Sequence, residues 1–183
     1  MNSNVNTENW VERGDRPTPK TAECLPVTLV LDNLRSAFNV GNIFRLAEAT
    51  RAEHIVTCGY TATPPHPKLA KTARGCDTSV PCSHQPTVRA ALESLRERGY
   101  TVYGVETVSD AIPVWDVAFR FPAALLLGNE ALGISEDGLE LCDSFVKLPC
   151  LGTKNSINVG NCAGVVLYRA LEQWLPATRT NVG

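Results

Sequence analysis

Short apolar runs alternate with segments of helical spacing from about residue 25 onward. The runs PVTLVLDN, HIVTCG, YTVYGVE, AALLLG and SFVKLP have the length and composition of buried strands, and we place the first strand at about 27–32. Helices are predicted in VGNIFRLAEAT, TVRAALESLRERG, SEDGLELCD and NVGNCAGVVLYRALEQW. This alternation predicts an α/β fold, in which a mainly parallel sheet is flanked by helices.

Three residues are candidates for the ends of these helices. Asn39 is a candidate N-cap of the first helix, because an Asn side chain can accept a bond from a free N–H of the first turn. Gly99 occupies the position just after the second helix, where a left-handed conformation favours glycine. Pro176 predicts the end of the last helix.

The length of 183 residues fits one domain with its own core. We expect residues 1–24, rich in Asn, Thr and Pro, to form a flexible polar arm, 25–176 to form the domain and 177–183 a short tail. No apolar run approaches the roughly 18 residues that span a bilayer. The polar start of the chain is unlike a secretory signal, so we expect a cytoplasmic protein without a membrane segment.

Cysteine and histidine spacing argues against a metal site. The chain has seven cysteines, an odd number, and no two of them form a Cys-x-x-Cys pair. The three histidines supply no closely spaced pair of metal ligands either. We therefore expect reduced, mostly buried thiols and no bound metal.

Charge is unevenly distributed although the net charge is only −2. Residues 31–75 carry six basic and three acidic side chains, whereas 101–183 carry five basic and nine acidic ones. A local basic face can meet a phosphate backbone, but the same pattern is equally typical of ordinary solvated surface.

Three polar motifs lie where predicted strands end, which is where parallel sheets bind ligands. In N33LRSAFNVGNIFRLAEA49 the residues of interest are Asn39 and Arg45, although for this pair alone a helix cap and a solvated arginine are the more ordinary explanations. In L125LLGNEALGIS135, Glu130 is either a functional carboxylate or a cap of the next helix. A phosphate-binding P-loop is excluded there, because Ile134 stands where that loop requires lysine.

The third motif is the polar loop in L148PCLGTKNSINVGNCAGVVLYRA170, between a strand and the last helix. Ser156 and Asn158 could simply cap that helix. Capping does not explain why the whole loop between two apolar elements is small and polar. No G-x-G-x-x-G follows the first strand and no G-x-S-x-G occurs, which disfavours an ordinary dinucleotide site and a hydrolase.

Taken together and in this order, the three motifs resemble the TrmH/SpoU family of SPOUT RNA methyltransferases, over about residues 26–174. The resemblance implies an α/β fold with a deep C-terminal trefoil knot, built from segments around 125–133 and 148–170. It also implies that S-adenosylmethionine donates a methyl group to a ribose 2′-hydroxyl of RNA. Family members are typically homodimers whose active sites combine the knot of one subunit with the first motif of the other.

The resemblance assigns two sets of residues. The expected donor pocket is lined by Val105, Gly128, Leu148 and Ile157. The expected catalytic set is Asn39, Arg45, Glu130, Ser156 and Asn158.

The role of Arg45 has two interpretations. The family proposal makes this arginine the base that deprotonates the hydroxyl, yet a guanidinium has a pKa above about 12 and stays protonated. Our hypothesis is that Arg45 acts as a cation, which contacts a phosphate of the RNA and stabilises the developing alkoxide. Glu130 and Asn39 would then orient it.

Many relatives carry an added RNA-binding domain, and the polar arm is short, so we expect the RNA to contact the catalytic domain directly. Candidates are Lys68, Lys71 and Arg74 in HPKLAKTARG, which could equally form a solvated basic helix. The RNA could be tRNA or rRNA, with tRNA slightly favoured by analogy with compact relatives. Two alternatives are a catalytically inactive knotted RNA-binding protein and a nucleotide-binding α/β protein such as a small oxidoreductase.

Overall fold

A computed structural model describes residues 24–179, in which seven strands form one sheet. The strands are β1 (Leu25–Asp32), β2 (Ala52–Cys58), β3 (Cys82–Gln85), β4 (Thr101–Val105), β5 (Ile112–Pro113), β6 (Ala123–Leu127) and β7 (Ser144–Lys147). Their order across the sheet is β3-β2-β1-β6-β4-β7-β5, and all neighbouring strands are parallel. The predicted α/β fold with a parallel sheet is confirmed.

Helices cover both faces of this sheet. They are α1 (Ala37–Thr50), α2 (Pro67–Ala73), α3 (Cys76–Ser79), α4 (Val88–Glu97), α5 (Glu136–Glu140) and α6 (Val159–Arg179). Because successive side chains of a strand point to opposite faces, Leu29 and Leu31 of β1 join one buried cluster while Val30 joins the other. The first cluster includes residues of α1, α2 and α6, and the second includes residues of α4.

The two outermost strands, β3 and β5, were not predicted. The β3 sequence, CSHQ, is mostly polar, and β5, Ile-Pro, has only two residues, so neither forms an apolar run. Each pairs on one side only, β3 with β2 and β5 with β7. Their extended conformation therefore depends on the neighbouring strand, which the sequence pattern does not reveal.

The predicted helix ends were partly wrong. Ser36, rather than Asn39, is the N-cap of α1, and its hydroxyl accepts a hydrogen bond from the Asn39 N–H. Gly99 follows the end of α4 with a φ of 83°, as expected. Helix α6 continues through Pro176 to Arg179, so the proline does not end it.

The cysteines are free, as expected, but the prediction that most are buried was wrong. Only Cys58 is fully buried; burial, reinforced by the nearby Asp32 carboxylate, raises the pKa of its thiol to about 12. Cys24 is exposed and the other five are half-buried. Within residues 24–179, no His, Cys, Asp and Glu side chains group into a candidate metal site, and no helix has the length and apolarity of a membrane span.

Helix α2 packs tightly on α1, which determines what it exposes. A Cβ atom on Gly41 of α1 would lie 2.6 Å from the backbone oxygen of Leu69, so only glycine permits this approach. Leu69 and Ala73 are buried against α1, and the three basic residues proposed to contact RNA face outward: Lys68, Lys71 and Arg74. The predicted arm lies outside the described residues except for Cys24, as do the last four residues of the predicted tail.

Candidate active site

A cavity of about 620 Å³ opens at the carboxyl ends of the adjacent strands β6, β4 and β7. The segments that follow these strands form most of its wall, and the loop before α6 completes it. Its volume lies within the range of roughly 300–1,000 Å³ typical of small-molecule sites. The position matches the general rule that parallel sheets bind ligands beyond the carboxyl ends of their strands.

All four residues expected to hold the methyl donor line this cavity: Val105, Gly128, Leu148 and Ile157. Gly128 begins a tight loop in which Asn129 and Gly133 exchange two backbone hydrogen bonds of 2.9 Å. A Cβ atom on Gly128 would lie 2.3 Å from the backbone of Gly133 and Ile134, so this position requires glycine. We call residues 128–134 the donor loop.

Sequence reasoning missed Glu106, which also lines the cavity. Its carboxylate accepts hydrogen bonds from the backbone N–H groups of Thr107, at 2.8 Å, and Ile134, at 3.1 Å. Glu106 thereby ties the end of β4 to the donor loop. The available signal was a carboxylate directly after the apolar strand TVYGV.

Glu130 anchors the start of α1. Its carboxylate accepts hydrogen bonds from the backbone N–H groups of Arg35 (2.8 Å) and Ser36 (3.1 Å) and from the Asn39 side-chain amide (2.8 Å). The next helix, α5, has Ser135 at its N-cap position instead. Capping of that helix, one of the two interpretations left open by the sequence, is therefore excluded for Glu130.

Asn158 extends this network to the third motif. Its amide nitrogen donates to the Asn39 oxygen at 3.2 Å, and its own oxygen accepts from the N–H groups of Gly160 and Asn161 at the start of α6. Asn158 thus caps a helix and also contacts another motif. The line Glu130–Asn39–Asn158 joins all three sequence motifs at the mouth of the cavity.

The other two predicted catalytic residues lie outside this line. Ser156 is exposed and borders the cavity. Arg45 is exposed on α1 and lies near Cys76 of α3. Burial raises the pKa of the Cys76 thiol, Glu48 adds to that rise and Arg45 opposes it. Six residues along a helix rotate a side chain by about 240°, so Arg45 and Asn39 face different directions. Within one chain, no described hydrogen bond or ion pair joins Arg45 to Glu130.

Asn129, a residue of the donor loop that also lines the cavity, holds this loop in place, and sequence reasoning missed it too. Its amide nitrogen donates to the backbone oxygen of Asn33 at 2.7 Å and to the Tyr60 hydroxyl at 2.6 Å. Its oxygen accepts from the N–H groups of Ala131 and Leu132. Every hydrogen-bonding group of this amide is engaged, so the loop is fixed against the segments after β1 and β2.

The surroundings of Glu130 keep it ionised. Partial burial, the largest single influence, raises the pKa of its carboxyl group, but the hydrogen bonds from Arg35, Asn39 and Ser36 and the Glu130 backbone together lower it below its ordinary value. The carboxylate form is therefore favoured throughout the neutral range, and it persists into mild acid.

We expect Glu130→Gln to lower the free energy of unfolding by up to about 1 kcal/mol at pH 7, because an anion is lost near the start of α1. A depressed folded-state pKa stabilises the fold above the unfolded-state pKa, and this contribution disappears as pH falls through the folded-state value. The difference between wild type and variant should therefore be constant above about pH 6 and shrink toward pH 3. Urea denaturation across this range measures it.

Glu48→Gln is the matched control, because Glu48 is an exposed glutamate of α1 whose carboxylate has no described hydrogen bond. It should show a smaller loss. A Glu130→Gln effect that is equally small, or that does not change with pH, would contradict the anchoring role.

Comparison with known proteins identifies the family. The chain is 32% identical over 151 residues to a tRNA (guanosine(18)-2′-O)-methyltransferase of Thermus thermophilus, covering 82% of this chain and 77% of that one. It is 32% identical to a 23S rRNA (uridine(2479)-2′-O)-methyltransferase of Streptomyces viridochromogenes, covering 79% of this chain but only 52% of that one. The structure of the SpoU methyltransferase AviRb of the same organism with the cofactor AdoMet matches with a TM-score of 0.73 and 31% identity, covering 81% of this chain and 57% of that one. The model of the SpoU rRNA Methylase family matches residues 26–168, and the chain belongs to that family.

Proposed function

We propose that this protein transfers the methyl group of S-adenosylmethionine to a ribose 2′-hydroxyl of RNA. The observation that supports it most is the line Glu130–Asn39–Asn158, which brings the three motifs together beside the cavity. Both relatives compared above are named as 2′-O-methyltransferases, one of tRNA and one of rRNA. Both have the same sequence identity to this chain, 32%, which does not distinguish the two substrates, so tRNA as the substrate stays a prediction.

The cavity has the chemistry that the donor requires. S-adenosylmethionine supplies an electrophilic methyl group on a positively charged sulfur. Carboxylates of Glu106 and Glu130 and apolar side chains such as Val105 and Leu148 line the same cavity. The carboxylates suit a cation, and the apolar walls suit an adenine ring. Gly128 keeps a backbone surface open where any side chain would collide with the donor loop.

The residues at the mouth are suited to hold the acceptor ribose. Ser156 presents an exposed hydroxyl beside the cavity, next to Ile157 and Asn158. The Asn158 amide is held in one orientation by Asn39 and by the start of α6. Such fixed groups position the 2′-hydroxyl for attack, which lowers the barrier without any further chemistry.

Arg45 reaches an active site in this proposal only through a second subunit. Its position on α1, turned away from Asn39, leaves the network of one chain without the cation that would stabilise an alkoxide. The outer face of α6 offers a surface for such a dimer, since Val165, Tyr168 and Leu175 recur on one exposed stripe. We therefore propose a homodimer in which each site takes Arg45 from the partner.

The basic face of α2 is the proposed contact to the RNA backbone. Lys68, Lys71 and Arg74 are exposed on one short segment, and no ion pair to a carboxylate is described for any of them. Unpaired cations suit phosphates, because binding releases counterions from the RNA. A cytoplasmic location and a C-terminal knot remain predictions alongside these contacts.

Transfer of labelled methyl groups from S-adenosylmethionine to RNA tests the function directly. We expect label to enter total RNA from cells that lack the gene. Once the nucleotide is mapped, a transcript with 2′-deoxyribose at that position alone should accept none. Label that persists in the deoxy transcript would indicate base methylation, and no transfer to any RNA would favour the inactive RNA-binding alternative.

Arg45→Ala should lower kcat by roughly 10²-fold or more if the guanidinium stabilises the developing charge. Arg45→Lys should retain most activity if the positive charge is what matters; an inactive Lys variant with normal RNA affinity would favour a geometric or base role. Inactive Arg45→Ala and Asn158→Ala subunits should regain activity when co-expressed as mixed dimers. Failure of the mixture, with each subunit still able to dimerise, would contradict a shared site.

The double charge reversal Lys71→Glu, Arg74→Glu should weaken RNA binding and reduce the slope of log affinity against log salt by roughly 1 to 2. Arg120→Glu is the control, because Arg120 is exposed and precedes β6. It therefore lies at the amino end of that strand, whereas the cavity lies at the carboxyl end. Affinity titrations at several salt concentrations measure both. An unchanged slope in the double variant would remove α2 from the RNA surface.

A further inference from the structure

A second cavity, of about 510 Å³, lies between the start of α1 and the segment after β2. Its wall contains Arg35 and Phe38 from the first element, Tyr60 from the second, and His66 and Lys68 from the start of α2. None of its lining residues is acidic. It shares no lining residue with the donor cavity. Of its lining residues, only Lys68 has been given a proposed role in catalysis or RNA binding above.

Two aromatic rings of this cavity are unusually accessible. Phe38 is 54% exposed and Tyr60 is 62% exposed, although both border a concave surface. Large aromatic side chains usually bury most of their area, because water contact with a ring is unfavourable. Two such rings in one cavity therefore suit a flat apolar ligand.

Tyr60 is held in place at both ends. Its hydroxyl accepts a hydrogen bond from the Asn129 amide at 2.6 Å, and its backbone N–H donates to the Asn33 side-chain oxygen at 3.3 Å. The preceding Gly59 has a φ of 59°, and a Cβ atom there would lie 2.1 Å from that same oxygen. A ring fixed in this way loses little conformational entropy when a ligand stacks on it.

The charges around the rings suit a nucleotide. Arg35 and Lys68 are both exposed, and within the described chain neither side chain has an ion pair with a carboxylate. Lys71 and Arg74 continue the basic surface along α2. Aromatic faces bind unpaired bases and cations bind the adjoining phosphates, which is the usual composition of single-stranded RNA sites.

The cavity also adjoins the donor loop. Asn129, which holds the Tyr60 hydroxyl, stands between Gly128 and Glu130, and both of these line the donor cavity. The backbone of Arg35 donates to the Glu130 carboxylate. Tyr60 and Arg35, which line the second cavity, are therefore each joined by one hydrogen bond to a residue that lines the donor cavity.

We propose that this second cavity binds an unpaired nucleobase of the RNA substrate, which stacks on Tyr60 while Arg35 and Lys68 contact its phosphates. The proposal rests on the proposed function, because it names how that site selects its RNA. It predicts that the protein prefers single-stranded or looped RNA to duplex.

Tyr60→Leu and Tyr60→Phe test the stacking. The probes are a fluorescein-labelled 12-nucleotide RNA of random sequence and a 12-base-pair RNA duplex, used with the full chain. Loss of base stacking costs about 1–3 kcal/mol, so Tyr60→Leu should weaken single-strand binding by roughly 5- to 150-fold and duplex binding far less. Tyr60→Phe keeps the ring and should stay within about threefold of wild type.

Three controls keep the outcome clear. Trp115→Leu removes an aromatic residue that is 59% exposed elsewhere and should leave affinity unchanged. Calorimetry with S-adenosylmethionine checks that each variant keeps a folded donor cavity. Ultraviolet crosslinking of wild type to the 12-nucleotide RNA, followed by mass spectrometry, should place the crosslink on segment 35–38 or 60–68.

Unchanged single-strand affinity in Tyr60→Leu would overturn the proposal, as would an equal loss in Tyr60→Phe or Trp115→Leu. A crosslink mapped elsewhere would also overturn it. If Tyr60→Leu changed the oligomeric state instead, the cavity would be a contact between subunits. These measurements involve no methyl transfer, so stacking without detectable transfer would refute the proposed function and leave this binding site standing.

Discussion

The carboxylate of Glu130 accepts two backbone N–H groups just before α1 and the amide of Asn39 within it. These partners lie more than 90 residues from Glu130 along the chain. Asn129 holds the donor loop against the segments after β1 and β2, and the Glu130 contact adds the bond that ties the loop to α1 itself. With it, the Asn39 amide is oriented toward Asn158, and the three motifs form one surface. Because the pKa of Glu130 is lowered, its carboxylate is ionised at neutral pH and can accept all three hydrogen bonds.

The sheet supplies the frame in which that contact forms. Strands β1, β6, β4 and β7 are neighbours, so their carboxyl ends present four loops side by side at one edge. β1 leads toward α1, β6 leads to the donor loop, β4 ends at Glu106 and β7 leads to the loop before α6. A parallel arrangement is what makes segments distant in sequence converge on one cavity. The family match and the shared fold of AviRb agree with this arrangement.

The sequence predicted those parts of the structure that follow from local patterns of apolar and polar residues. Apolar runs revealed the five longest or most buried strands, and the motifs revealed every residue of the line Glu130–Asn39–Asn158. Local patterns could not reveal β3 or β5, because those strands exist only through pairing at an edge. Nor could they separate Ser36 from Asn39 as the cap, since either residue type fits and only the backbone decides. Glu106, Asn129 and Tyr60 were missed because their partners come from other segments.

The side chain of Asn129, a residue of the donor loop, bonds both to the backbone of that loop and to the Tyr60 hydroxyl. A shift of that loop on binding one ligand would therefore displace the ring that faces the second cavity. Coupling of this kind is reciprocal, so whatever the donor does to RNA affinity, RNA must do to donor affinity by the same factor. The amide of Asn129 would then be the place where the two binding equilibria of the enzyme are linked.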